Sequence, residues 1–68
     1  MKDNTDELDL RLEISDMMWE VDRLREIEQD YAESEEYEKA GIVLERQKRL
    51  IRIIKNREKK LKQYDKTL

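Results

Sequence analysis

Apolar side chains recur in steps of three and four along the first half of the chain. At about 100° per residue, this spacing places them on one face of an α-helix. Glu28 takes one polar place in the series, and no Pro or Gly interrupts it. The pattern predicts an amphipathic helix over residues 6–33. The predicted packing seam of this helix consists of Leu10, Ile14, Met17, Val21, Leu24 and Tyr31.

A second series with the same spacing follows, and it predicts a helix over residues 35–65. Gln47 and Glu58 take polar places in this series. Gly41 is the only glycine, and a glycine inside a helix costs about 1 kcal/mol. We therefore expect a neighbouring backbone to approach it closely. The predicted packing seam of the second helix consists of Tyr37, Ala40, Leu44, Ile51, Ile54 and Leu61.

Residues 33–36 are the candidate turn between the two helices. Ser34 is a favoured residue at a helix N-cap, and the glutamates after it suit a first helical turn. Folding back here gives one all-α domain over residues 1–68, an antiparallel coiled-coil-like hairpin in which residue i lies near residue 70−i. The alternative is one continuous helix of about 60 residues, about 90 Å long.

The chain has 68 residues and neither Cys nor His. A chain this short buries a thin core, and without disulfides or metal its stability depends on helix packing and self-association. We therefore expect a homodimer of hairpins that forms a four-helix bundle. The start of the chain lacks a signal-peptide pattern, and no apolar run is long enough to span a bilayer. These features predict a cytoplasmic protein without a membrane partner.

Charge is divided between the two halves of the sequence. Residues 1–45 hold 16 acidic and 5 basic side chains, whereas residues 46–68 hold 2 acidic and 10 basic ones. In an antiparallel hairpin an acidic helix lies beside a basic one. Exposed ion pairs contribute only about 0.2–1 kcal/mol each, so this pattern favours the antiparallel orientation more than it adds stability.

The residue types needed for catalysis are scarce. Without His or Cys, Ser15 and Ser34 have no usual base to activate them, and a chain with one glycine has no Gly-rich phosphate loop. The sequence predicts no enzyme, no catalytic residue, no cofactor and no metal site.

Large apolar side chains also occur away from the packing seams. Leu8, Leu12 and Trp19 lie within about 40° of one another and almost opposite the seam of the first helix. Ile42 and Ile53 lie off the seam of the second helix. Tryptophan is enriched in binding hot spots, and contiguous apolar patches mark contact sites. We therefore predict that these five residues form a protein interface of a small adaptor or regulator.

Two other functions fit the sequence. A basic second helix can neutralise phosphates, which makes nucleic-acid binding the first alternative. The second is a purely structural coiled coil. The residues predicted to contact nucleic acid are Arg49, Arg52, Lys55, Lys59 and Lys62.

Residues 31–50 combine a small residue late in the first helix, an acidic turn and an aromatic-Glu-x-Ala-small segment, at Ala32, Glu35, Tyr37, Glu38, Ala40, Gly41, Val43, Glu45 and Leu50. At these positions the segment resembles the UVR motif, a short helical hairpin of bacterial excision-repair helicase and nuclease subunits and of some protease-regulating adaptors. The sequence departs from that pattern at Leu44, where the family usually has Arg, and at Gln47, where it has an apolar residue. The resemblance implies a helical hairpin that associates with proteins, with Tyr37 and Ala40 in its packing seam.

Overall fold

The protein is a hairpin of two long helices. A computed structural model describes residues 5–66, with side chains described for residues 6–64. Helix α1 spans Thr5–Glu33 and helix α2 spans Tyr37–Lys66. The helices pack along each other, and the Cα atoms extend over 54 × 14 × 14 Å. The predicted all-α helical hairpin is confirmed, and the single continuous helix is wrong.

The two ion pairs that join the helices define their register. Arg57 lies 3.2 Å from Glu13, and Arg46 lies 3.3 Å from Glu20, measured between side-chain nitrogen and oxygen. The residue numbers of these pairs add to 70 and 66, close to the register expected from the sequence. The acidic first helix therefore runs antiparallel to the basic second one.

The core is a single layer between α1 and α2. Leu10, Ile14, Val21 and Ile54 are buried, and Ala40 is buried nearer the turn. Among the described residues no side chain is completely enclosed, because two helices cover each other on one side only. The half-buried residues that complete the layer are Met17, Leu24, Tyr31, Leu44, Leu50, Ile51, Leu61 and Tyr64.

Tyr37 does not lie in the packing seam, contrary to both the spacing and the UVR resemblance. Its side chain is 68% exposed. Tyr37 is the first residue of α2, directly after the turn, where α1 has already ended at Glu33. In the register of the hairpin Tyr37 lies at the level of the last turn of α1, and the buried part of the α2 seam begins at Ala40.

The turn is built as the C-terminal cap of α1. The backbone N–H of Glu36 donates to the carbonyl of Tyr31 at 2.8 Å, and that of Glu35 donates to the carbonyl of Ala32 at 3.0 Å. Glu35 has φ of 60°. These bonds and the left-handed residue form a Schellman motif. A glutamate therefore occupies a position where glycine is usual.

The second helix starts later than the sequence suggested, at Tyr37 rather than 35. The Glu36 carbonyl accepts the first bond of α2, from the N–H of Ala40 at 3.0 Å. Ser34 is instead part of the cap of α1, with its N–H bonded to the carbonyl of Asp30 at 3.1 Å. The Schellman turn uses Ser34 and Glu35 to reverse the chain, so Ser34 is not the N-cap of α2.

Gly41 is exposed and lacks the close neighbour that the sequence suggested. Apart from its chain neighbours and the adjoining backbone of α2, a Cβ atom added to Gly41 would meet no described atom within 4 Å. The backbones of α1 and α2 therefore do not require a glycine at this position.

Candidate protein interface

Leu8, Leu12 and Trp19 form the outer face of α1, the side that points away from α2. Their side chains are 56%, 55% and 64% exposed, respectively. The seam of α1 contacts α2, and these three residues lie about 170° around the helix from it. Burial of the seam therefore leaves the outer face open to solvent.

Trp19 has charged neighbours along this face. The guanidinium of Arg23 lies 5.1 Å from the centre of the indole ring, within the range of a cation–π interaction. A shallow groove beside the ring is lined by Asp16, Arg23 and Ile27, among others. The outer face thus combines an aromatic anchor with both signs of charge at its edge.

Ile42 and Ile53 form the outer face of α2. Ile42 is 71% exposed, whereas Ile53 is half-buried and lines a shallow groove with Asn56, Arg57 and Lys60. They lie about 130–150° around α2 from its seam. The five residues predicted as one interface therefore occupy two surfaces on opposite edges of the hairpin.

Sequence reasoning missed three exposed apolar side chains. Met18 is 48% and Ile27 is 37% exposed, and each lies about 90° around α1 from the seam, on opposite flanks. The same angular reasoning applied to every apolar residue identifies both of them. Tyr37 was missed because its heptad spacing placed it in the seam.

The basic residues of α2 are mostly without acidic partners. Among the described side chains, ion pairs between the helices are limited to Glu13–Arg57 and Glu20–Arg46. The other ion pairs join neighbours within one helix. The predicted nucleic-acid residues are all exposed, and within the described part none forms an ion pair: Arg49, Arg52, Lys55, Lys59 and Lys62.

The fold turns the charge division of the sequence into a polarity along the hairpin. Residues 26–45, at the turn end, carry 8 acidic side chains and 1 basic one. The remaining segments, 6–25 and 46–64, carry 8 acidic and 12 basic ones. The turn end is therefore strongly negative and the rest of the hairpin is positive.

Lys39 is held at the turn by Glu36. Its ammonium lies 3.1 Å from a carboxylate oxygen of Glu36 and 5.7 Å from the centre of the Tyr31 ring. The hydrogen bond to Glu36 and the charge of that carboxylate raise the pKa of Lys39 above the ordinary value of 10.5. The ion pair is local to the start of α2, and the Tyr31 ring of α1 lies within the range of a cation–π interaction.

The described residues lack two features by which a protein could be recognised, a membrane-spanning helix and a cluster of metal ligands. Within residues 5–66, neither helix has the length and apolar character needed to cross a membrane. The described acidic side chains do not form a group of three or more that could hold a metal ion. Exposed apolar and basic surfaces are thus the main features available for recognition.

No family model matches the chain, and neither a curated protein nor a solved structure shows a matching similarity. The resemblance of residues 31–50 to the UVR motif therefore stays a prediction.

Proposed function

We propose that this hairpin is a protein–protein interaction module whose outer face on α1 docks against a helix of its partner. The observation that carries the proposal is the exposure of Leu8, Leu12 and Trp19 together on one side of a helix. The hairpin uses its seam for its own packing and leaves this second apolar stripe uncovered.

The size and chemistry of the outer face suit a helix as partner. Leu8 and Trp19 are 11 residues apart, which corresponds to about 16 Å along α1. An amphipathic helix presents apolar side chains over this length in one row. Trp19 is the residue type most enriched in binding hot spots, and Arg23 beside it offers a charge that orients the partner.

Self-association is one route by which this face becomes covered. In the smallest such assembly, a homodimer with four helices, we propose that a helix of one hairpin covers the outer face of the other. The other route is docking onto a larger protein, as in the adaptor role implied by the UVR resemblance.

A photocrosslinking amino acid placed at Leu12 tests the proposed interface in cells of the source organism. We expect crosslinks to protein from this position, either to a second copy or to another chain. The matched control places the same amino acid at Lys59 on the basic side of α2, where we expect far fewer protein crosslinks. The proposal fails if the two positions give the same crosslinked proteins, or if position 12 gives none.

Nucleic-acid binding is a second candidate function, supported by the unpaired basic side chains of α2. A titration against DNA and RNA at two salt concentrations tests it, because binding through phosphates weakens steeply as salt increases. The charge reversal Lys55→Glu with Lys59→Glu should remove this binding and leave protein crosslinking at position 12 intact. If the protein binds neither DNA nor RNA at the lower salt concentration, this candidate function is excluded.

A further inference from the structure

The two outer faces of the hairpin have the same apolar spacing. Leu8 and Trp19 are 11 residues apart on α1, and Ile42 and Ile53 are 11 residues apart on α2. Eleven residues correspond to three helical turns plus about 20° of rotation. Two helices with equal spacing can therefore bring both apolar pairs into contact at once.

We infer that the helix docked on the outer face of α1 is the outer face of α2 from a second copy of this chain. The inference rests on the proposed function and names its partner. With the two helices antiparallel, Trp19 contacts Ile42 of the second copy, and Leu8 contacts Ile53 of that copy. Residue i then lies near residue 61−i of the second copy.

Charge complementarity supports this antiparallel register. The acidic Asp9 falls opposite the basic Arg52 of the second copy, and Arg23 falls opposite Glu38, whereas Asp16 falls opposite Glu45 as a pair of like charges. Among the described side chains, Asp9, Arg52 and Glu38 form no ion pair within their own hairpin. A parallel arrangement with the same apolar contacts loses both of these favourable pairs and brings Arg23 near Arg57 of the second copy, although it places Glu26 near Lys60.

The directions of the two outer faces determine how copies of the hairpin assemble. A closed square of four helices requires each helix to contact its two neighbours at about 90° around its axis. Here the outer faces lie about 170° and 130–150° from the seams of α1 and α2. Copies therefore add side by side, with α1 of one beside α2 of the next. Such a head-to-tail contact leaves one free face at each end and permits growth beyond a dimer.

The experiment uses two variants that damage different halves of this contact. Trp19→Glu removes the anchor on α1 and keeps the outer face of α2, whereas Ile42→Glu does the reverse. Both side chains are exposed, so we expect the hairpin to remain helical by circular dichroism. Met18→Glu on the flank of α1 is the matched control for a new charge on an exposed apolar residue. Sedimentation equilibrium gives the mass of each sample over a wide range of concentration.

The expected masses distinguish side-by-side addition from other arrangements. The wild type and Met18→Glu should exceed twice the chain mass at high concentration. Trp19→Glu and Ile42→Glu alone should associate at least about tenfold more weakly. An equimolar mixture of the two should form a heterodimer and nothing larger, since it contains one intact pair of faces.

Several results would overturn the inference. A wild type that stays monomeric, that stops at a dimer, or that assembles only after nucleic acid is added excludes side-by-side addition. A mixture that remains monomeric excludes the head-to-tail contact. If the wild type is monomeric while position 12 crosslinks to a different protein, the second copy is the wrong partner but the proposed function stands. If position 12 also gives no protein crosslink, both are wrong.

Discussion

Gln47 donates a hydrogen bond of 2.7 Å from its Nε2 atom to the Oε1 atom of Glu28, across the seam between α1 and α2. Gln47 is 4% exposed, and its Nε2 also lies 3.4 Å from the carbonyl oxygen of Leu24. Each residue separately interrupts the apolar series of its own helix, and the hairpin brings the two interruptions together. A polar pair of this kind, with Gln47 buried and Glu28 half-buried, favours one register, because a shifted helix leaves the buried Gln47 amide without this partner.

The Glu28–Gln47 pair should contribute more to register than to stability. Glu28→Leu leaves the buried amide of Gln47 with only the long bond to Leu24, so we expect a loss of about 1–2 kcal/mol in the free energy of unfolding. Glu28→Leu with Gln47→Leu replaces the pair with apolar contact and should be at least as stable as the wild type. Urea denaturation followed by circular dichroism measures both. A double variant as unstable as the single one would contradict this account.

Replacing Glu35 with glycine should stabilise the hairpin. Its φ of 60° lies in the left-handed region, where glycine avoids the steric cost of a Cβ atom. We expect Glu35→Gly to increase the free energy of unfolding by about 0.5–1 kcal/mol. Glu26→Gly, at an exposed position inside α1, is the matched control and should cost about 1 kcal/mol. Equal destabilisation by both changes would rule out the capping role of Glu35.

Gly41 should tolerate alanine. The added Cβ meets no described atom within 4 Å, and alanine is a better helix former than glycine. Gly41→Ala should therefore stabilise the hairpin by about 0.5–1 kcal/mol, measured by thermal unfolding at low concentration. A decrease in midpoint temperature would show that something packs against Gly41.

Ile14 and Leu12 are a matched pair on α1, one in the core and one on the outer face. Ile14→Ala should cost about 2–3 kcal/mol of stability, at the lower end for core truncations because the core is a thin layer. Leu12→Ala should change stability by less than about 0.5 kcal/mol and weaken association instead. Chemical denaturation and sedimentation of both variants separate the two effects. A large loss of stability in Leu12→Ala would mean that the outer face belongs to the fold of the monomer.

Lys39 should show how the turn responds to pH. Its pKa is raised above 10.5, mainly by the hydrogen bond to Glu36 and then by the charge of that carboxylate. The stability from this contact is therefore complete below pH 10.5 and disappears as the pH increases through the folded-state pKa. Glu36→Gln should lower the pKa of Lys39, as measured by NMR titration of its side chain. An unchanged pKa in that variant would exclude Glu36 as the cause.

The sequence predicted the parts of the structure that depend on local periodicity. Apolar residues three and four positions apart, such as Leu10, Ile14 and Met17, are neighbours on any α-helix, so the two helices follow from spacing alone. The position of the candidate turn at residues 33–36 predicted an antiparallel register in which residue i lies near residue 70−i, and the acidic and basic halves favoured the same orientation. The exposure of Trp19 also followed, because a helix packed on one side leaves its opposite side open.

Only the tertiary structure decided the features that join distant segments. The left-handed Glu35 reverses the chain, and this sets where α2 begins and leaves Tyr37 exposed at the turn end of the hairpin. The antiparallel contact pairs Glu28 with Gln47, and it separates Trp19 from Ile42 onto opposite edges of the hairpin. The spacing of side chains within one helix contains no information about which residue of another helix lies opposite, because that depends on the turn and on the rotation of each helix about its axis.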